Sequence, residues 1–228
     1  MTLVTAEMSI SLDGYFAGPR SDETDWTKSP EALGFFRITR WVVNAQSWRE
    51  RMGYAGGEQS VNSDLAAELT ARNGAYVMGR RMADGGEGPW GEEPPFHGPV
   101  FVVTHRERET RHCQGGTSFT YVTDGLESAI AQAREAANGK NVLISGGGTT
   151  VQQAIAAGQV DELVLHIAPV LLGEGQRLLD NLGVSTGHGR ELTPERVVHT
   201  QDVTHLVYRV GKAASLFLDD RGSGDGEA

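Results

Sequence analysis

The sequence predicts one α/β domain over residues 1–212, in which helices flank a central, mostly parallel sheet and antiparallel strands close its C-terminal edge. Three observations predict this fold class. Strand-like and helix-like segments alternate along most of the chain, which is typical of parallel βαβ units. A run of three glycines joins one strand directly to a helix. The last strands follow each other with no helix between them, which favours antiparallel pairing.

In the first half of the chain, glycines, prolines and capping residues separate the predicted elements. We expect strands at 2–12, 75–78 and 99–104 and helices at 30–44 and 64–72. Asn62 or Ser63 is the expected N-cap of the second of these helices, and Gly74 is its expected stop. The segment 85–95 is rich in glycine and proline, so it predicts a loop.

The second half of the chain continues the alternation. The pattern predicts strands at 119–122, 141–145 and 160–172, helices from Leu126 and at 149–157, and closing strands around 197–198 and 205–210. Asp124 and Glu127 have the spacing of a capping box for the helix at Leu126. The end of the chain, residues 213–228, is polar and rich in glycine, and we expect it to be a disordered tail.

Composition and charge argue against several classes of protein. The net charge of −10 and the lack of a Lys/Arg stripe argue against nucleic-acid binding. No apolar stretch is long enough to predict a membrane span, and the N-terminus has the pattern of a first strand rather than a signal peptide. The single cysteine, Cys113, excludes an internal disulfide, and the seven scattered histidines predict no metal site. We therefore expect a cytoplasmic protein.

The most informative segment is the glycine turn, residues 146–148, between a predicted strand and a predicted helix. The first N–H groups of a helix lack intrahelical partners, and the helix dipole adds positive potential there. Because glycine has no Cβ, an anion can approach this backbone closely, so the turn predicts a phosphate or pyrophosphate site. The turn is neither a P-loop nor a G-x-G-x-x-G fingerprint. A tight connection without a ligand is the alternative.

Basic residues follow two further predicted strands. Arg80 and Arg81 follow the strand at 75–78, and Arg106 follows the strand that ends at Thr104. Ligands of parallel sheets bind outside the carboxyl ends of the strands. Guanidinium groups bind phosphate in a bidentate manner, so these arginines and the glycine turn favour a nucleotide with more than one phosphate. A ribose 2′-phosphate would explain arginines remote from the turn; surface arginines that cap carbonyl groups are the alternative.

Four motifs in a set order carry a family resemblance. They are Ser11-Leu12-Asp13-Gly14, Val77-Met78-Gly79-Arg80-Arg81-Met82, Ile144-Ser145-Gly146-Gly147-Gly148, and Asp161-Glu162-Leu163 leading into His166-Ile167-Ala168-Pro169-Val170-Leu171-Leu172-Gly173. Over residues 1–211 the chain resembles the dihydrofolate reductase superfamily. Within it, the chain is similar to the C-terminal reductase domain of the bifunctional riboflavin-biosynthesis deaminase/reductase RibD. The resemblance implies a dihydrofolate reductase-like fold and an NADPH-dependent reductase.

Matched position by position, the resemblance also implies a cofactor site. Gly79 and Arg80 match a turn that holds phosphate groups, Thr104 matches a strand end near the adenosine 2′-phosphate, and Phe16 matches a loop beside the nicotinamide. The implied cofactor-binding residues are Phe16, Ala17, Gly79, Arg80, Arg81, Met82, Thr104, His105, Arg106, Ser145, Gly146, Gly147, Gly148, Thr149, Thr150 and Val151.

The chain departs from the riboflavin-pathway members at two substrate positions. Tyr15 stands where these members usually carry Lys, and Ser145 stands where they usually carry Glu. Both positions touch a ribose-phosphate substrate in the family, and the chain has no deaminase domain or zinc motif. The resemblance therefore implies that the cofactor-binding part of the site is kept while the substrate-binding part is changed.

Reduction of a C=N or C=O bond also needs an acid near the acceptor atom. The candidates are Asp13, Tyr15 and Asp64, and Glu68 competes with Asp64 for the acidic position that dihydrofolate reductases carry early in one helix. Each candidate has an alternative role: Asp13 as a residue that fixes its loop, Tyr15 as a packing aromatic, and Asp64 as an exposed first-turn carboxylate. His166 lies in the middle of a strand, so we expect a hydrogen-bonded core histidine.

The sequence thus predicts an NADPH-dependent reductase of a small heterocyclic substrate, pteridine- or pyrimidine-like, or of a carbonyl compound. One alternative is a non-catalytic NADP(H)- or nucleotide-binding module such as a sensor, and another is a scaffold that has lost the site. The expected partners are a small-molecule substrate and, by analogy with relatives, a second copy of the chain in a homodimer.

Overall fold

A nine-stranded sheet organises the part of the chain that the computed structural model describes, residues 2–23, 26–180, 182 and 190–213. The strands are β1 (Val4–Ser11), β2 (Tyr15–Ala17), β3 (Asn73–Gly79), β4 (Pro99–Val103), β5 (Arg111–His112), β6 (Ser118–Val122), β7 (Asn141–Gly146), β8 (Glu162–Ala168), β9 (Gln176–Arg177), β10 (Arg190–His199) and β11 (Thr204–Ala213). The α-helices are α1 (Pro30–Val43), α2 (Gln46–Arg51), α3 (Val61–Ala71), α4 (Arg80–Trp90), α5 (Leu126–Ala136) and α6 (Gly148–Ala156), with short 3₁₀ turns at Trp26–Lys28 and Gln114–Gly116. Residues 214–228 of the predicted tail lie outside the described residues.

The sheet has the strand order β10-β11-β8-β1-β7-β3-β4-β6-β5. The six strands from β8 to β6 are parallel, β11 and β10 add antiparallel pairs at one edge, and β5 is antiparallel at the other. This arrangement confirms the predicted mostly parallel sheet with antiparallel C-terminal strands. The strands β2 and β9 form a separate two-stranded pair.

The two faces of the sheet are covered differently, because successive side chains of a strand point to opposite faces. On one face, α5 and α6 pack against a continuous apolar core that includes Ala6, Val77 and Ile144. On the other face, α1, α3 and α4 cover the flanks of the sheet in separate clusters. The middle of this second face carries polar side chains of β1, which bear on the site described below.

The prediction of a loop over residues 85–95 is wrong for its first half, because α4 continues to Trp90. Tertiary packing overrides the low helix propensity of this glycine-rich stretch. The Trp90 ring lies against Gly86, where a Cβ would overlap it. The same ring packs on Phe96 and Phe119, with centroids 4.9 and 6.2 Å away, and so ties the last turn of α4 to a buried aromatic cluster.

Four predicted boundaries also differ from the structure. Ser60, rather than Asn62 or Ser63, is the N-cap of α3, and its hydroxyl accepts the Ser63 N–H at 3.4 Å. Gly74 lies inside β3 rather than at a helix stop.

The other two differences concern α5 and β8. The N-cap of α5 is Gly125 with no side-chain hydrogen bond, so the predicted capping box is not formed. Asp124 instead accepts a hydrogen bond from the Thr123 hydroxyl at 3.3 Å. The strand predicted at 160–172 is shorter, since β8 ends at Ala168 before Pro169, which has no N–H for a sheet ladder.

Candidate functional site

Two helix N-termini lie side by side at the carboxyl edge of the sheet. β3 runs directly into α4 and β7 runs into α6, and these two strands are neighbours, with Met78 paired to Gly146. The N-caps are Gly79 and Gly147, neither of which has a side chain to cap the helix, and neither first turn contains an acidic residue. The edge therefore presents unneutralised N–H groups and two positive helix ends to the same region, which suits an anion with two phosphate groups.

The glycines of this edge are held in close contact with their neighbours. A Cβ on Gly79 would lie 2.6 Å from the Thr150 hydroxyl, and one on Gly148 would overlap the Phe16 ring. A Cβ on Gly147, by contrast, would meet no atom within 4 Å. Gly147 therefore faces open space at the first turn of α6, where a ligand could approach the backbone. The Gly146–Gly147 peptide bond is cis.

The residues after Gly147 divide into two groups. Thr149 is exposed, while the Thr150 and Val151 N–H groups donate to the Gly147 carbonyl at 2.9 and 3.3 Å. The Val151 side chain is fully buried in the core on the α5/α6 face, so this predicted cofactor residue packs the helix and does not face the edge. Ala17 is likewise buried, whereas Phe16 lies over the glycine turn.

Arginines surround the start of α4, as the sequence predicts, and they carry carboxylate partners. Arg80 pairs with Asp84 at 2.6 Å, and Arg81 pairs with Glu31 at 2.8 Å. Arg108 also reaches Asp84, at 3.4 Å, so side chains that follow β3 and β4 converge on one carboxylate. The two pairs with Asp84 are exposed and therefore weak, so a phosphate can replace this carboxylate as the partner of Arg80 and Arg108.

The end of β4 contributes further polar groups to the same region. The Thr104 hydroxyl is buried and accepts the Arg106 N–H at 3.1 Å, which fixes the start of the loop. His105 is exposed. Within the part of the chain that the structure describes, the Arg106 guanidinium has neither a carboxylate partner nor a hydrogen bond. Met82 packs over the turn, with its sulfur 3.0 Å from the position of a Cβ on Gly146.

The middle of the sheet face that bears α1, α3 and α4 is partly exposed, and we call this open region the central cleft. Its floor is formed by Glu7 and Ser9 of β1 and by Leu143 and Ser145 of β7. All four are partly exposed although both strands lie in the interior of the sheet, because the helices with most contacts to β7 are α5 and α6 on the other face. Ser145 directly precedes the glycine turn, so this central cleft leads into the phosphate-suited edge.

One rim of the central cleft is formed by a buried tyrosine and an arginine. Arg51 of α2 donates to the Tyr76 hydroxyl at 3.3 Å and to the Phe96 carbonyl at 2.7 Å. Burial raises the pKa of Tyr76 above its usual value of 10.0, and the negative charge of Glu7 acts in the same direction. Tyr76 therefore stays a neutral hydrogen-bonding group at ordinary pH.

Asp13 has the contacts of the loop-fixing alternative. Its carboxylate accepts the N–H groups of Leu172 at 3.1 Å and Gly173 at 2.8 Å. A hydrogen bond from the Ser11 side chain, and then these two amides, lower the pKa of Asp13 from 3.8 to about 2. The group is ionised at neutral pH, which is the wrong state for a proton donor.

Tyr15 and Asp64 are both held by neighbours outside the floor of the central cleft. The Arg177 guanidinium lies over the Tyr15 ring, 4.8 Å from its centroid, in the small β2–β9 pair. Asp64 is exposed and accepts a hydrogen bond from Gln59 at 2.6 Å. Its competitor Glu68 is exposed as well and pairs with Arg196 at 2.8 Å. On α3, it is the residues beside Asp64 that are buried toward the sheet, with Asn62 at 5 % exposure.

Several residues of the site were missed from the sequence, among them Arg108 and Glu7. A signal for Glu7 exists, because Thr5, Glu7, Ser9 and Ser11 alternate with apolar residues along β1. A strand in the interior of a parallel sheet is usually apolar on both faces. A polar face on such a strand indicates that something other than a helix lies against it.

The comparison with protein families decides the relationship of the chain. The family described as the RibD C-terminal domain matches residues 2–207. The chain belongs to this family. The match spans every element that forms the edge and the central cleft, so the RibD C-terminal domain family accounts for the fold on which both are built.

Solved structures of similar fold support this assignment of the fold. A riboflavin biosynthesis protein from Shewanella sp. PV-4 is 21% identical with a TM-score of 0.61, and the alignment covers 93% of this chain and 100% of that one. The deaminase/5-amino-6-(5-phosphoribosylamino)uracil reductase of Thermotoga maritima is 13% identical with a TM-score of 0.55, covering 92% of this chain and 56% of that one. The riboflavin biosynthesis reductase of Saccharomyces cerevisiae is 14% identical with a TM-score of 0.50, covering 92% and 89%.

The RibD C-terminal domain chain thus corresponds to little more than half of the Thermotoga protein. A comparison with curated protein sequences gives no match. Among the described residues, no helix is long and apolar enough to cross a membrane. No group of three or more His, Cys, Asp or Glu side chains in the described ranges is placed to hold a metal ion.

Proposed function

We propose that this member of the RibD C-terminal domain family is an NADPH-dependent reductase of a small pyrimidine- or pteridine-like heterocycle. The observation that carries the proposal is the pair of uncapped helix N-termini, α4 and α6, next to a basic cluster and an open cleft. Family membership supports the reductase class. The cofactor, when bound, supplies the hydride, and the protein has to bind, orient and supply a proton.

The edge fits a dinucleotide with an additional phosphate. The N–H groups at the starts of α4 and α6 would hold the pyrophosphate, where Gly147 leaves the backbone accessible. Arg80, Arg106 and Arg108 would hold a 2′-phosphate, since they follow the neighbouring strands β3 and β4. A dinucleotide that runs from this arginine cluster past the glycine turn toward the central cleft would have its nicotinamide end beside the cleft.

The central cleft suits a flat heterocycle with ring N–H and amino groups. The Glu7 carboxylate can accept two such donors, and the Ser9, Ser145 and Tyr76 hydroxyls can donate or accept. Tyr15 and Ser145 replace the residues that contact a ribose-phosphate substrate in riboflavin-pathway relatives. We therefore propose a substrate in which the heterocycle, rather than a ribose phosphate, provides most of the recognition.

The test is a titration of purified protein with NADPH and, separately, with NADH, followed by nicotinamide fluorescence. We expect NADPH to bind more tightly than NADH, and Arg80→Ala to weaken NADPH binding about tenfold or more while it changes NADH binding little. Arg209→Ala is the matched control, because Arg209 is also in an exposed pair with a carboxylate, that of Glu195, and lies on β11 near the other edge of the sheet. If neither NADPH nor NADH shows saturable binding, the proposal is overturned.

A second step separates a reductase from a binding module. NADPH oxidation is followed as the loss of nicotinamide absorbance at about 340 nm. The acceptors are 5-amino-6-(5-phosphoribosylamino)uracil and, separately, 7,8-dihydrobiopterin. We expect oxidation with at least one acceptor of these two ring classes. Tight NADPH binding without oxidation by either would favour the alternative of a non-catalytic NADP(H)-binding module on the same fold.

A further inference from the structure

A chain of hydrogen bonds runs from the central cleft into the protein through two buried histidines. Glu7 Oε1 lies 3.2 Å from His166 Nε2, and His166 Nδ1 lies 2.7 Å from His205 Nδ1. His205 Nε2 lies 3.1 Å from Asn62 Oδ1. The two imidazoles are 2 % and 1 % exposed, whereas the Glu7 side chain is 23 % exposed to the cleft. Glu7 is therefore the most exposed member of the chain of hydrogen bonds, since Asn62 is 5 % exposed.

The hydrogen-bond partners determine where the protons lie. The Asn62 oxygen is an acceptor, so His205 Nε2 must carry a proton. A buried His205 is neutral, since burial first and the charge of His166 second lower its pKa from 6.5 to about 3. Its Nδ1 is then an acceptor, and the proton in the 2.7 Å contact belongs to His166 Nδ1.

This assignment leaves one further proton between His166 and Glu7. Either His166 Nε2 is protonated and donates to a Glu7 carboxylate, or a protonated Glu7 donates to His166 Nε2. Both descriptions contain the same single proton, which lies at the floor of the cleft. Without it, the Glu7 carboxylate would face the lone pair of His166 Nε2, an unfavourable contact of two acceptors.

An aromatic ring packs against this arrangement. The Trp41 ring packs on both imidazoles, with centroids 4.6 and 4.8 Å away, and its indole N–H donates to Ser9 at 3.0 Å. The other titratable groups that face the chain are Tyr76 with its partner Arg51 on the β3 side and Arg196 on the β10 side. None of these groups is a carboxylate, so none of them competes with Glu7 as the acceptor of the proton.

We propose that Glu7 and His166, with His205 as the fixed neutral acceptor, form a proton relay that supplies the acid for reduction in the central cleft. The inference rests on the proposed reductase function. The proposed proton donor differs from the three candidates predicted from the sequence. Its residues lie on the strands β1 and β8.

The step balances in atoms and charge. One hydride reaches the carbon of a substrate C=N bond, the π bond breaks, and the nitrogen needs one proton. That proton leaves His166 Nε2, passes through Glu7 Oε1 and forms the new N–H bond of the product. The relay ends as a Glu7 carboxylate beside a neutral His166, and a solvent proton that enters through Glu7 restores it.

The first test reads the protons directly, without a substrate. Long-range ¹H–¹⁵N spectra of the imidazoles and ¹³C spectra of the carboxyl groups are recorded on the full-length protein across pH 5–9 (about this range brackets histidine). We expect His205 to carry its proton on Nε2, and one proton to lie between His166 Nε2 and the Glu7 carboxyl group. A His205 proton on Nδ1, or a Glu7 carboxylate beside a His166 without a proton on Nε2, would overturn the relay. Exposed His199 is the internal reference.

The second test uses Glu7→Gln, with Glu191→Gln on the exposed face of β10 as the matched control. We expect unchanged NADPH affinity in both variants, because Glu7 lies outside the phosphate-suited edge. With an accepted heterocycle, Glu7→Gln should lower kcat about 100-fold or more and abolish the loss of rate at high pH. A wild-type rate and pH profile in Glu7→Gln would overturn the relay. A wild-type protein that binds no NADPH would overturn the proposed function instead, and the spectra would still decide the proton arrangement.

Discussion

The pH dependence of stability is the sharpest consequence of the buried histidine pair. The pKa of His205 is lowered from 6.5 to about 3 in the folded protein, with burial as the larger cause and the neighbouring His166 as the second. The unfolded chain therefore binds a proton below about pH 6.5 that the folded chain does not bind. The stabilising contribution of neutral His205 is fully present above pH 6.5 and is lost as the pH falls toward 3.

The magnitude follows from this difference in bound protons. Each pH unit between the two pKa values changes the free energy of unfolding by about 1.4 kcal/mol at most, so pH 5 costs about 2 kcal/mol relative to pH 8. For a protein with an ordinary stability of about 5–15 kcal/mol, this is a readily measured loss.

The assay is urea denaturation of the wild type, His205→Gln and His199→Gln at about pH 8, 7, 6 and 5. Steps of about one pH unit are small enough to resolve the expected change in the free energy of unfolding. His199 is the matched control, since it is exposed and lies on the neighbouring strand of the same hairpin. We expect His205→Gln to lose about 2 kcal/mol of the difference between pH 8 and pH 5, and His199→Gln to keep it. An equal pH dependence in all three proteins would show that His205 is not held neutral by its surroundings.

Three further predictions concern the edge of the sheet, α4 and assembly. Gly147→Ala should leave the free energy of unfolding unchanged within about 0.5 kcal/mol, since its Cβ meets nothing within 4 Å, but it should weaken NADPH binding. Gly148→Ala, whose Cβ overlaps Phe16, should lower both quantities, and unchanged NADPH affinity in Gly147→Ala would argue against a pyrophosphate there. Gly88→Ala in α4 should stabilise the protein by about 0.5–1 kcal/mol in urea denaturation, whereas destabilisation would contradict a helix at this position. Light scattering should give twice the 24.5 kDa chain mass if the protein is the expected homodimer, and the chain mass itself would exclude it.

The fold could be predicted from the sequence because its signals are local. Strands such as 75–78 and 99–104 are short apolar runs, and the glycine turn marks the passage from β7 to α6 without reference to any distant residue. The prediction was wrong for α4, where three glycines and Pro89 outweighed the pattern. The residues that stabilise that helix, Phe96 and Phe119, come later in the chain, so no local rule could include them.

That the glycine turn, Gly79 and Arg80 lie at one edge of the sheet was predictable for the same reason, and the residues of the proposed substrate side were not. Gly79, Arg80 and the glycine turn each lie directly after a strand, and the carboxyl ends of parallel strands must meet. Arg108 is five residues beyond the end of β4, and only the folded loop brings it to Asp84. Asp13 looked like an acid by position, but the two backbone amides that bind its carboxylate belong to residues 172 and 173, far along the chain.

The polar network behind the central cleft is itself an argument for a functional role. Glu7, Asn62, His166 and His205 come from four separate elements and occupy the interior of the second sheet face. Buried polar networks of this kind seldom add stability, because apolar residues of similar volume would avoid the cost of desolvating them. The apolar core on the α5/α6 face shows that the same strands can be packed without polar groups. A polar network that stands where apolar packing would be possible, and that is most exposed at one carboxylate beside an edge suited to a dinucleotide, is better explained by proton supply than by folding.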